Sequence, residues 1–220
     1  MNSRSHLRLS ALVAGLLFGV GYCLVAVVPG GGDVSEKDFT DFYASDGRQL
    51  AAFGLFFALV AGCLAATWFF NELRAALPDS VLTRTAGGAA AFGTAAVAIG
   101  AAILTAPAGA QQNSDFDFVG APIAEVFAQA GLGVMLAAGM LSLALAMVLA
   151  NVAVRRSGIA PAWLPIAGIA AGVIMVGSYI WLPGLVFPIW LIATGAVGMK
   201  APSGRPVMAN AGLPGSAVSR

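Results

Sequence analysis

Residues 157–199 read SGIAPAWLPIAGIAAGVIMVGSYIWLPGLVFPIWLIATGAVGM, 43 residues without a charged side chain. A helix crosses the roughly 30 Å of bilayer hydrocarbon with about 20 apolar residues, so this run is about twice the length of one span. Trp181-Leu182-Pro183-Gly184 interrupts it, and Pro followed by Gly signals a turn. The run therefore reads as two spans joined by a tight outer turn. That reading sets an even number of crossings for the whole chain.

Working outward, four more charge-free runs precede it: Leu9 to Gly32, Gln49 to Asn71, Thr85 to Asn113 and Val126 to Val154. The chain is 59% hydrophobic and only 10% charged over 220 residues, far below the quarter charged of soluble domains. The fold expected is all-α, a polytopic membrane bundle of six transmembrane helices. The spans fall at about 9–30, 50–71, 85–107, 122–152, 161–181 and 183–199, followed by a disordered tail over 201–220. That tail, APSGRPVMANAGLPGSAVSR, is rich in Pro, Gly and Ser and lacks a helical period.

The basic residues set the orientation. With the N-terminus inside, Arg4, Arg8, Arg74, Arg84, Arg155, Arg156, Lys200, Arg205 and Arg220 face the cytoplasm, and only Lys37 and Arg48 face out. Nine against two is a strong positive-inside bias, which puts both termini in the cytoplasm. Three of the four tryptophans, Trp68, Trp163, Trp181 and Trp190, lie close enough to span ends for the interfacial belt. The first span is expected to be retained rather than cleaved, because its apolar run is long and no A-x-A site follows. Cys23 and Cys63 fall at different depths of their spans and read as free, apolar fillers.

The net charge of +1 points to neither nucleic acid nor an acidic partner. The single histidine, His6, excludes a Ser-His-Asp or Cys-His set inside the membrane, and no phosphate-binding glycine loop is present. No catalytic residue, cofactor or metal site is expected, and the chain does not read as an enzyme. An ionisable residue within a span is a functional-site hypothesis by default. Glu125 comes nearest to that status, with Gln129 one turn on along the same face. With Asp115 and Asp117 they outline a ligand or ion contact at an outer vestibule; the plainer reading is a first-turn acid at headgroup depth. Pro188 is expected to kink the last helix if that helix starts at Pro183.

The most polar stretch is SEKDFTDFYASDGRQ, residues 35–49. Phe39, Phe42 and Tyr43 share one helical face, and Ser35 with Asp38 has the spacing of a capping pair. This predicts a short helix lying at the outer interface. Its acids lack the pattern of a calcium loop. Gly15-x-x-x-Gly19 and Gly168-x-x-x-Gly172 predict close packing within the chain more than a dimer face. The smooth third helix is expected at the centre of the bundle.

The phrases RRSGIAPAWLPIAG (155–168), LVFPIWLIATG (185–195) and FTDFYASDGRQ (39–49) resemble small multi-pass membrane proteins of bacteria classed only as a domain of unknown function. The resemblance implies a six-helix bundle in a bacterial plasma membrane and no activity. The function expected is structural or accessory, through lipids, a membrane partner or a homo-oligomer. The alternative is a small-solute transporter or channel.

Overall fold

The computed structural model describes residues 3–30, 34–113, 120–177 and 182–199. The predicted tail at 201–220, Asp115, Asp117 and Trp181 lie outside the described residues. Every regular element among those described is helical. They are α1 (Ser3–Tyr22), α2 (Leu24–Val27), α3 (Glu36–Tyr43), α4 (Asp46–Ala76), α5 (Val81–Asn113) and α6 (Ala121–Leu132). A π-helical segment, Gly133–Met140, leads into α7 (Leu141–Ser157). α8 (Trp163–Met175), a 3-10 turn (Leu182–Leu185) and α9 (Val186–Val197) follow.

Four helical stretches are long and apolar enough to cross a membrane: Ser5–Val27, Asp46–Ala76, Val81–Gln112 and Ala121–Ser157. They coincide with the first four charge-free runs. Trp163–Met175 and Leu182–Val197 are apolar but shorter.

The helices form a ring. α1 packs on α4 and α9, α4 on α5, α5 on α6, the π segment and α7, α7 on α8, and α8 on α9. Between lipid-facing helices the hydrophobic effect drives little association, so close packing has to do it, and small residues permit it. Gly21 meets the Leu59 backbone and Gly62 the Phe18 backbone, which leaves no room for a Cβ at either glycine of the α1–α4 contact. Gly15 and Gly19 receive Pro188 of α9, and Gly168 and Gly172 receive Asn151 and Val148 of α7. Both predicted small-residue patterns thus pack within the chain. The third long helix, α5, is a wall of the ring rather than its centre. It has neighbours on two sides, and Phe92 and Ile99 look outward.

Large side chains fill the middle. Phe18, Tyr22, Phe69, Phe187, Met135 and Met140 are all buried below 2% exposure. Phe18 and Phe187 meet edge to face at 5.0 Å, and Phe69 and Trp190 at 5.7 Å, a favoured aromatic geometry. Trp190 is therefore a core residue and not part of an interfacial belt. Trp68 and Trp163 do present exposed rings.

α9 runs antiparallel along α1. Gly184 lies against the Tyr22 hydroxyl, Pro188 against Gly15 and Gly19, and Gly195 against Leu12 and the Arg8 carbonyl. Arg8 closes the far end by donating Nε to the Gly195 carbonyl and an Nη to the Ala196 carbonyl, each at 3.2 Å. These carbonyls belong to the last turn of α9 and have no partner within the helix, and a cation there also opposes the helix dipole.

Candidate functional site

The polar features gather at the end of the bundle where α3 sits. α3 starts where the sequence places it. Ser35 caps it by accepting from the Asp38 backbone N–H at 3.3 Å, and Asp38 accepts from the Ser35 N–H at 2.8 Å and the Ser35 hydroxyl at 2.7 Å. These bonds favour the charged carboxylate and hold the Asp38 carboxyl below the ordinary carboxylate range. Ser45 caps α4 in turn, accepting from the Arg48 N–H.

The aromatic face of α3 packs on protein. Phe39, Phe42 and Tyr43 are buried at 2–4% exposure, with α3 packed on α4 and α6. The aromatic face closes the end of the bundle, and the acids Glu36, Asp38 and Asp41 face away from it. Burial pushes the Tyr43 phenol up to about 12, because the phenolate loses its hydration there.

Beneath α3, two glutamines converge on one backbone oxygen. Gln49, in the first turn of α4, donates Nε2 to the Tyr43 carbonyl at 2.8 Å. Gln111, in the last turn of α5, donates Nε2 to the same carbonyl at 3.3 Å. Neither drew notice in the sequence, where each reads as a polar residue closing an apolar run. The one available signal was that both lie just inside the ends of charge-free runs, where an uncharged amide must find partners.

Glu125 and Gln129 are one turn apart on α6, as their spacing requires, but their roles separate. Gln129 donates Nε2 to the Gly30 carbonyl at 2.9 Å, tying the segment after α2 to α6. Glu125 is exposed beside the exposed Ile123, Val126 and Phe127, and engages no described partner by hydrogen bond or ion pair. Asp115 and Asp117, predicted to share this vestibule, lie outside the described residues.

Pro188 stands in the first turn of α9, which begins at Val186. The chain ahead of it is helical in the tighter 3-10 form. Pro107 is the proline that does lie inside a helix, and α5 continues past it to Asn113 rather than ending there.

At the opposite end, Asn71, Arg74, Ala75 and Asp79 line a shallow, open depression. Arg84 meets Asp79 at 3.5 Å with both side chains exposed, a pair that contributes little to stability. Elsewhere, several polar side chains within the helices bond to their own backbone, while Trp190 Nε1 and Thr194 Oγ1 in α9 are buried without a partner among the described residues. Thr94 donates to the Ala90 carbonyl, Thr105 to that of Ala101 and Asn151 to that of Met147, and Thr67 and Thr94 share a bond across α4 and α5 at 3.0 Å. Cys23 and Cys63 are free thiols. Among the described residues, no group of three His, Cys, Asp or Glu side chains converges on a metal position. Comparison with protein-family models, curated proteins and solved structures gave no match for this chain.

Proposed function

We propose that this chain is a bacterial plasma-membrane protein that crosses the bilayer six times with both termini in the cytoplasm. We further propose that it serves as a structural or accessory component, acting through a membrane partner or lipids and not through chemistry of its own. The six-span reading is supported by the course of α9. The 3-10 turn and α9 together, from Gly184 against Tyr22 to Gly195 beside Arg8, run along most of the length of α1 in the reverse sense. Arg8 and Tyr22 are 14 residues apart, which is roughly 21 Å at 1.5 Å per residue. Short as it is, this stretch then covers most of the hydrocarbon depth.

The observation that carries the accessory reading is the filled interior. Phe18, Phe69, Phe187, Trp190, Met135 and Met140 occupy the middle of the ring. Thr105 and Asn151 bond to the backbone of their own helices, and Gln49 and Gln129 to backbone carbonyls at the end of the bundle. Such an interior supports rigid packing. The outward faces, carrying Leu16, Phe57, Leu64, Phe92 and Ile99, supply apolar contact surface.

The test is a mild-detergent pull-down from native membranes with quantitative mass spectrometry. One membrane protein recovered near one-to-one is the expected result. Purification without a partner, together with solute flux in liposomes that Glu125→Gln abolishes, would replace this reading with the transporter alternative.

A further inference from the structure

The two glutamines beneath α3 leave something unanswered. Gln49 is 1% exposed, and its Oε1 is buried with no hydrogen-bond partner; the Oε1 of Gln111 is in the same condition. Turning either amide over cures nothing. It would press an oxygen against the Tyr43 carbonyl oxygen and leave an NH₂ group stranded instead. Buried polar atoms are almost always partnered. Two buried acceptors whose amide nitrogens share one anchor therefore call for a positive or hydrogen-bearing guest beneath α3.

The surroundings favour positive charge. α3 and α5 both end here, so the negative ends of two helix dipoles converge on the site. The positive end of α4, whose first turn holds Gln49, offsets part of this. On the rim, Glu36, Asp38, Asp41 and Asp46 stand exposed against the exposed Lys37 and Arg48, a net negative surface that concentrates cations. The ligating atoms are neutral amide oxygens. Doubly charged ions prefer carboxylates, so the set suits a single charge.

We propose that Gln49 Oε1 and Gln111 Oε1 bind a small monovalent cation, an alkali ion or ammonium, beneath α3, and that the ion fastens α3 to the bundle. Both oxygens are themselves buried, so any water in the ion's shell is enclosed with it beneath α3. This inference is independent of the accessory reading, since a bound ion would brace the outer end whatever the protein does.

The test uses the full chain in detergent. Its thermal unfolding is followed by tryptophan fluorescence in sodium, potassium, ammonium or N-methyl-D-glucamine chloride at equal ionic strength. At least one small cation should raise the midpoint by several degrees over N-methyl-D-glucamine, and the arms tell alkali ion from ammonium. Gln49→Leu and Gln111→Leu should each lose that increment. Gln49→Glu should lower the half-saturating concentration at least about tenfold, as a full charge near contact implies. Equal midpoints of the unmodified protein in all four salts would overturn the proposal and leave the site to water. An increment that persists in both leucine variants would also overturn it, by placing the ion elsewhere. Should Gln49→Leu fail to fold, the less buried Gln111→Leu and the salt series on the unmodified chain still decide.

Discussion

Gly100 and Gly131 face each other across α5 and α6 with their backbones in contact. A Cβ added at Gly100 would lie 2.6 Å from the Gly131 carbonyl oxygen, and one added at Gly131 would lie 2.6 Å from the Gly100 carbonyl oxygen. Further along, Gly93 and Gly139 repeat the arrangement, with contacts of 3.0 and 3.3 Å to each other's carbonyls. Glycine here trades helix propensity for approach, and the approach is what joins α5 to the α6–α7 arm.

The consequence is measurable. Gly100→Ala and Gly131→Ala should each destabilise the folded state by about 1–3 kcal/mol, the usual cost of overpacking. Gly88→Ala, also on α5 but with open space where its Cβ would lie, should be neutral or stabilising by up to about 1 kcal/mol. Reversible unfolding in mixed micelles would compare the three. Equal effects at Gly88 and Gly100 would show that the contact carries no weight.

Arg8 links the ends of the first and last helices. Arg8→Gln should cost about 1–2 kcal/mol, because two carbonyls of the last turn of α9 lose charged donors. Proteolysis from the C-terminal end should speed up in this variant, since α9 frays first. An unchanged cleavage rate would mean that water replaces the guanidinium without loss.

The capping box of α3 has a defined pH sense. The Asp38 carboxyl titrates lower in the folded chain than in the unfolded one. Its contribution is therefore present above the unfolded carboxylate pKa and is lost as pH falls through the folded value. Ser35→Ala should remove that dependence and expose α3 to protease or amide exchange even at neutral pH. Hydrogen exchange of residues 36–43 between neutral and acidic pH would report it.

Tyr43 works in the opposite direction. Its phenol is raised from 10.0 to about 12, so between these values the unfolded chain has released a proton that the folded chain keeps. Stability is full below pH 10 and should fall as pH rises toward 12. Tyr43→Phe should flatten that alkaline decline. A decline of the same slope in the variant would assign it to another group.

Much of this architecture can be read from residues alone, and the reasons differ by element. The first four long helices follow from charge-free runs, because hydrocarbon tolerates so few charges that their absence marks each span. α3 follows from the Ser35–Asp38 spacing, a local interaction written in adjacent residues. What is settled between elements is harder to see. Phe39, Phe42 and Tyr43 form one apolar face whether that face meets lipid or protein, so their burial is invisible to periodicity. Trp190 falls in mid-span, and only the fold places Phe69 and Phe70 of a distant helix beside it. The π segment at Gly133–Met140 carries no proline or polar break. It arises where that arm lies against the small-residue stripe of α5. Gln49 and Gln111 are 62 positions apart, and only the fold brings both to the Tyr43 carbonyl.

The proposed threading is the claim on which the rest depends, and thiol accessibility tests it most directly. In a background with Cys23→Ser and Cys63→Ala, single cysteines would be placed at Ser45, in the cap of α4, and at Ser157, at the end of α7. Intact cells would then be treated with an impermeant thiol reagent. Six crossings with both ends inside require labelling at position 45, and labelling at position 157 only after the membrane is opened. Labelling at position 157 in intact cells, or protection at position 45, would contradict it.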